Sequence, residues 1–215
     1  MTAVIAAAGS GERLGAGGPK AFVPLAGRPM IAWSLDACLA CPAVAGVVVA
    51  VPDGHEHGLD GLDRVVAVDG GSTRAESVAN ALGAVGTEYV AIHDAARPLV
   101  TAELLGNLVA GLAANPDADA VIAAAPVTDT VKKVEGDRIV GTLDRTTLWR
   151  AQTPQVFRTA ALRAALRAHD AATDEAMLIE AAGGTVLIHD SGAPNLKVTT
   201  PLDLRVAELF LADRR

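Results

Sequence analysis

The stretch Val4-Ile5-Ala6-Ala7-Ala8-Gly9-Ser10-Gly11-Glu12-Arg13-Leu14-Gly15, followed by Pro19-Lys20, decides how this chain is read. A short apolar strand runs into a turn of small residues that ends on a cation, and a second cation follows seven positions later. Small side chains let backbone N–H groups approach an anion, and glycine adopts the positive φ that such a turn needs. Arg13 adds a forked charge and Lys20 a mobile one. The combination suits a polyphosphate.

Three glycine-loop patterns compete for this stretch. The dinucleotide fingerprint G-x-G-x-x-G accommodates Gly9 and Gly11, but its third glycine falls on Leu14 and Gly15 comes one residue late. A P-loop ends in Gly-Lys-Ser/Thr, whereas Lys20 stands between Pro19 and Ala21. A nucleotidyltransferase loop, G-x-G-x-R-(L/M) with a following Pro-Lys, is matched by Arg13, Leu14, Pro19 and Lys20. From the loop alone, a flexible N-terminal turn without a ligand stays open as the alternative.

At 215 residues the chain is expected to form a single domain, 1–215, large enough for a proper core. Hydrophobic residues make up 51% and aromatics only 3%, so that core is built from Ala, Val, Leu and Ile. Lys and Arg number 18 against 25 Asp and Glu, a net charge of −7 at pH 7. An acidic chain without basic runs or aromatic platforms argues against nucleic-acid binding, so any bound anion must be held by a few placed cations. The N-terminus lacks a basic region and its apolar stretch is too short for a signal peptide. No apolar run approaches membrane-spanning length, and a cytoplasmic protein is expected. Cys38 and Cys41 fall at the end of a helical pattern just before Pro42, and read as buried thiols rather than zinc ligands or a redox pair.

Along the chain, strands alternate with helices. Strands are predicted at 3–7, 47–51, 65–68, 89–93, 120–125 and 184–189, and helices at 29–40, 103–113, 160–169 and 201–211. Ser72 is positioned to cap a helix whose third residue is Ala75 or Glu76, and Thr101 to cap the next. Continuous apolar strands such as Val47–Val51 are those of a buried parallel sheet. The class is therefore α/β, with a doubly wound, mostly parallel, Rossmann-like sheet. Residues 128–150 break the rhythm. They read as a polar hairpin turning at Glu135-Gly136-Asp137, and because an isolated hairpin is marginal in water, this arm is expected to project and pack on a second subunit.

In an open parallel sheet, ligands bind at the carboxyl ends of the strands. The glycine loop, Asp69-Gly70-Gly71-Ser72, Asp94 with Arg97, and Lys197 all follow strands, and converge on one crevice. Each alone reads equally as a capped turn; their shared placement favours a site. Arg13, Lys20 and Lys197 would neutralise phosphates. Asp94 is wrong for direct phosphate contact and right for Mg²⁺, a hard ion that bridges phosphates. His55 and His57 lie in a polar loop and are expected to face solvent, and His93 to pack at a strand end. In-line phosphoryl chemistry needs no protein nucleophile, only positioning and charge.

On these motifs the chain resembles the 2-C-methyl-D-erythritol 4-phosphate cytidylyltransferase family of the non-mevalonate isoprenoid pathway. The likeness covers nearly the whole chain. It rests on Ala7–Arg13, Pro19-Lys20, Gly70-Gly71 with Arg74 and Ser77, His93–Pro98, Pro126–Thr130, Asp144-Arg145, Thr153-Pro154-Gln155, Thr173-Asp174-Glu175 and Asn195–Thr199. The resemblance implies a nucleotide-diphospho-sugar transferase type of fold with a projecting arm. It implies that Ala8, Gly9, Gly11, Gly71, Ser72 and Ser77 line the CTP pocket, and that Arg13, Lys20 and Lys197 stabilise the transition state. It gives Asp94 to Mg²⁺ and substrate, and Arg97, Thr130, Arg145 and Thr153 to methylerythritol phosphate. Thr130, Arg145 and Thr153 are expected from the partner's arm in a homodimer. Ala21 and Ser72 depart from residues common in the family. A chain ending at Arg215 is expected to lack the cyclase domain fused in bifunctional relatives.

Rival readings have distinct signatures. A ribitol-5-phosphate cytidylyltransferase shares much of the nucleotide site, but Ala95-Ala96 and Asp144-Arg145 favour methylerythritol phosphate. A sugar-phosphate uridylyl- or guanylyltransferase is not expected to carry the Asp94–Pro98 segment. A nicotinamide oxidoreductase lacks its third glycine here. A non-catalytic nucleotide-binding module would not need three cations about one phosphate.

Overall fold

The computed structural model describes residues 1–213 apart from residues 10, 12, 13, 15–17, 53, 56–58, 60, 169–173 and 193. The elements run β1 (Thr2–Ala6), β2 (Pro24–Leu25), β3 (Arg28–Pro29), α1 (Met30–Ala40), β4 (Gly46–Val51), β5 (Val65–Asp69), α2 (Arg74–Leu82), β6 (Tyr89–Asp94) and α3 (Ala102–Ala114). They continue with β7 (Ala120–Pro126), β8 (Lys132–Glu135), β9 (Arg138–Thr142), β10 (Trp149–Arg158), α4 (Thr159–Ala168), α5 (Glu175–Ala181), β11 (Val186–Asp190) and α6 (Pro201–Ala212). A seven-stranded sheet in the order β11-β7-β10-β6-β1-β4-β5 carries the fold. All its pairings are parallel except those of β10, which runs antiparallel to both β6 and β7.

β1, β4, β6 and β7 are almost wholly buried, as their unbroken apolar runs require. Helices cover both faces. One core joins Ile31, Leu35, Leu105 and Leu108 to one side of the sheet, and another packs Val78, Leu82, Leu162 and Ile179 against the other. A third cluster, Leu14, Leu25, Met30, Leu99, Val198 and Leu211, ties the loop after β1 to α6. Burying one such side chain stabilises the fold by about 1.5–3 kcal/mol. Cys38 and Cys41 are buried free thiols, and burial, with Cys41 adding to it, pushes Cys38 up to about 12.

The expected strands and helices are present, with ends moved by a residue or two. Differences arise where tertiary contacts decide. The cap of α2 is Thr73, not Ser72: its hydroxyl accepts from Glu76 N–H and Glu76 answers the Thr73 N–H. β10 and α5 were not expected. Pro154 interrupts the strand pattern of β10, and it lies where the β10 register against β7 shifts between Ala151 and Gln155. The hairpin β8–β9 forms its own two-stranded sheet, turning through Gly136 at φ +57°, with nearly every residue exposed.

Candidate active site

A cleft of about 640 Å³ opens at the carboxyl ends of β1, β5 and β6. The loop after β1 supplies Ala8, Gly9 and Gly11; the turn after β5 supplies Gly71, Ser72 and Thr73; the end of β6 supplies Asp94. Lys20, Arg74, Ser77 and Lys197 complete it. Gly11 has φ +73°, and an added Cβ there would lie 2.6 Å from that of Lys20. Lys20 N–H in turn donates to Gly9 O at 3.2 Å. The glycines therefore let the loop fold directly against the lysine that closes it. At the second turn, an added Cβ on Gly70 would collide with Ala8, so the two turns touch. The Ser77 hydroxyl accepts from Gly71 N–H at 3.0 Å and donates to Thr73 O at 2.9 Å. Ser77 thus shapes the turn that presents Gly71 and Ser72.

Asp94 is 7% exposed. Its Oδ1 lies 2.9 Å from Arg74 Nε, and its Oδ2 2.8 Å from Lys197 Nζ. Arg74 Nη1 also donates to both oxygens of Glu175, at 2.6 and 2.8 Å, and Glu175 is 2% exposed. Burial works against the Asp94 charge, but Arg74 and Lys197 outweigh it and hold the carboxyl well below its ordinary value. Burial likewise opposes the Arg74 charge, and Asp94 and Glu175 overcome it, so the guanidinium is held above its ordinary value. For Glu175 burial wins over Arg74 and the carboxyl is pushed up.

Beneath Asp94 lies a neutral network. Its N–H donates to Thr153 Oγ1 at 3.0 Å, and Thr153 Oγ1 lies 3.2 Å from His93 Nδ1. His93 Nε2 lies 3.2 Å from both Arg97 O and Ser34 Oγ. A carbonyl only accepts, so Nε2 carries the proton and Nδ1 receives the Thr153 hydroxyl. Burial pushes His93 down to about 4; Asp94 pulls it up and Arg97 down again.

The structure gathers Ala8, Gly9, Gly11, Lys20, Gly71, Ser72, Ser77, Asp94 and Lys197 around one cleft. Arg13 lies outside the described residues, as does Thr173. Arg97 stands behind the cleft wall, where Nη1 donates to Asn195 O at 2.7 Å and, among the described residues, Nε is buried without a partner. Thr130 and Arg145 are exposed on the arm, and Arg145 Nη1 donates to Thr128 O. The placing of Thr153 on that arm is corrected: it is a buried residue of β10, held to Asp94 and His93 of its own chain because the antiparallel register sets it beside the end of β6. Arg74 and Glu175 belong to the site and had no assigned role. Their signal was present in Gly70-Gly71 with Arg74 and in Thr173-Asp174-Glu175, but nothing in the spacing pairs them.

A mostly parallel sheet with a glycine loop, a lysine packed on it and a twice-paired aspartate at its carboxyl edge defines an α/β nucleotidyltransferase. The sequence profile described as 2-C-methyl-D-erythritol 4-phosphate cytidylyltransferase matches residues 1–213, and the chain belongs to that family. It is 43% identical over 226 residues to the 2-C-methyl-D-erythritol 4-phosphate cytidylyltransferase of Synechococcus sp. (strain CC9902), covering 100% of this chain and 99% of the relative. Identity to that of Cereibacter sphaeroides (strain ATCC 17023) is 45% over 219 residues, 98% and 96% of the two chains. The crystal structure of the Thermus thermophilus enzyme superposes with a TM-score of 0.83 at 35% identity, over 98% of each chain.

Proposed function

We propose that this protein transfers the cytidylyl group of CTP to 2-C-methyl-D-erythritol 4-phosphate, forming 4-diphosphocytidyl-2-C-methyl-D-erythritol and pyrophosphate. An oxygen of the acceptor phosphate attacks the α-phosphorus of CTP, and the bond from that phosphorus to the β-phosphate bridging oxygen breaks. The observation that carries this reading is Asp94, set between Arg74 and Lys197 at the end of β6 and facing the same cleft as the loop closed by Lys20.

The small residues Ala8, Gly9 and Gly11 leave backbone donors open to the triphosphate. Lys20 and Lys197 meet the charge that develops on the α-phosphate, a role the family resemblance gives Arg13 as well. Gly71, Ser72 and Ser77 shape the cytosine end. A divalent cation such as Mg²⁺ fits these residues as an ion carried in by the phosphates. Among the described residues Asp94 is the one carboxylate lining the cleft, and no cluster of three His, Cys, Asp or Glu could enclose a metal. Each Asp94 oxygen keeps a lone pair beyond its ion pair with which it would hold such an ion, and phosphates and water would provide the remaining ligands. When bound, such an ion supplies further neutralisation of phosphate charge.

The arm supports a homodimer in which Thr130 and Arg145 of one subunit reach the acceptor phosphate in the other. Val134, Ile139 and Val140 are 56%, 60% and 42% exposed on a two-stranded sheet with no core of its own. Such a surface needs a cover.

Pyrophosphate release with CTP and Mg²⁺ tests the reading, with methylerythritol 4-phosphate and ribitol 5-phosphate compared as acceptors. Release with the first alone is expected. Release with the second alone would change the acceptor, and silence with both in folded protein would remove the activity.

A further inference from the structure

Four charged groups alternate in sign, from the buried Glu175 through Arg74 and Asp94 to Lys197, the last three lining the cleft. The two cations on Asp94 are held very differently. Lys197 is a point charge on a flexible stem, its side chain 44% exposed. Arg74 is a planar fork fixed through Nε to Asp94 and through Nη1 to both oxygens of Glu175. Glu175 sits in the first turn of α5, its side chain 3% exposed.

We propose that Arg74, held by Glu175, is a positioning residue that keeps Asp94 in place when Lys197 leaves it for the phosphates of the nucleotide. This rests on the cytidylyl-transfer reading. A buried carboxylate without a cation is costly, so a lysine that is its sole protein partner is held back until a metal ion replaces it. With Arg74 on Oδ1, Lys197 exchanges one anion for another and Asp94 stays compensated. With Glu175 on Nη1, the guanidinium has no excess charge to draw it toward the phosphates. Asp94 thus keeps its place through the exchange.

Steady-state kinetics of the full-length enzyme test this, with wild-type turnover establishing the reaction itself. Arg74→Gln is expected to lower kcat about 100-fold while the KM for CTP stays within about threefold. Arg74→Lys, which keeps the charge but holds one carboxylate at a time, recovers part of the loss. Glu175→Gln lowers kcat about tenfold, and the double variant falls no further than Arg74→Gln, because Glu175 acts through Arg74. The double variant also leaves no unpaired buried charge, so its folding guards against misreading a collapsed single variant. Additive losses would show that Glu175 acts independently, and a raised CTP KM at unchanged kcat would make Arg74 a simple ligand; either overturns the proposal. A crystal structure of Glu175→Gln with CTP bound gives an answer that needs no turnover. Displacement of Arg74 from Asp94 toward the phosphates supports the proposal, and an unmoved Arg74–Asp94 pair overturns it even if wild-type enzyme proves silent.

Discussion

The hydroxyl of Thr153 accepts the main-chain N–H of Asp94 at 3.0 Å across the antiparallel seam between β10 and β6. The same hydroxyl donates to His93, so one buried side chain fixes both the residue that enters the cleft and the one behind it. Thr153→Val keeps the shape and leaves two buried polar groups unpaired. The expected loss of stability is about 1–3 kcal/mol in urea unfolding, with Thr153→Ser close to wild type. A valine variant as stable as wild type would show that the hydroxyl holds nothing.

Acid should weaken the fold through His93. Its folded value is pushed down to about 4 from 6.5. Between those values the unfolded chain binds a proton that the folded chain does not. Stability therefore rises with pH across the window and is lost on acidification. Glu175 runs the other way above its ordinary 4.5, because burial raises it and the folded chain there holds the extra proton. Comparison with His93→Gln isolates the histidine. The stability gap between wild type and variant should narrow as pH falls from about 7 to about 4.5; a constant gap contradicts a neutral buried His93.

Lys197→Ala should fold normally, since its side chain is 44% exposed and Arg74 still compensates Asp94. Pyrophosphate release should fall by about 10²–10³, the usual cost of removing one donor aimed at developing charge. Turnover within about threefold of wild type, by the same reckoning, would take Lys197 out of the chemistry.

Glycines 9 and 11 should separate stability from binding. Gly11→Ala strains a left-handed residue, costing about 1–2 kcal/mol, and pushes on Lys20, so melting temperature and turnover fall together. Among the described residues, no atom lies within 4 Å of an added Cβ on Gly9. Gly9→Ala should leave the melting temperature unchanged and raise the KM for CTP, since its methyl would stand in the space kept for phosphate. Equal behaviour of the two variants in both assays is the result that breaks this assignment.

Ile139→Asp places a charge on the exposed face of the arm. Sedimentation should show the proposed homodimer dissociating at micromolar concentration, and the acceptor KM should rise while the KM for CTP does not. An unaltered dimer with an unaltered acceptor KM would leave the arm without its proposed role.

The parallel core was legible because a strand buried on both faces must be apolar throughout, as in β4 and β7. The cleft was legible because the glycine loop, Asp69–Ser72, Asp94 and Lys197 all follow strands, and parallel strands share one carboxyl edge. β10 escaped notice because Arg150, Gln152, Thr153 and Pro154 give it neither a continuous apolar run nor a clean alternation. Ser72 and Thr73 both offer a capping hydroxyl; the fold gives the Glu76 N–H to Thr73, and the Ser72 hydroxyl donates to the Glu76 carboxylate instead.

By itself the sequence determined the chemistry available: backbone donors in small-residue turns, cations at fixed places and a carboxylate at a strand end. These follow from residue type and local period, which neighbours in the chain control. The tertiary structure alone decided which charges meet. Arg74 and Glu175 lie 101 residues apart, and Thr153 reaches Asp94 across 59. Such pairs form only once the sheet has brought distant strand ends together, and local sequence carries no record of that distance.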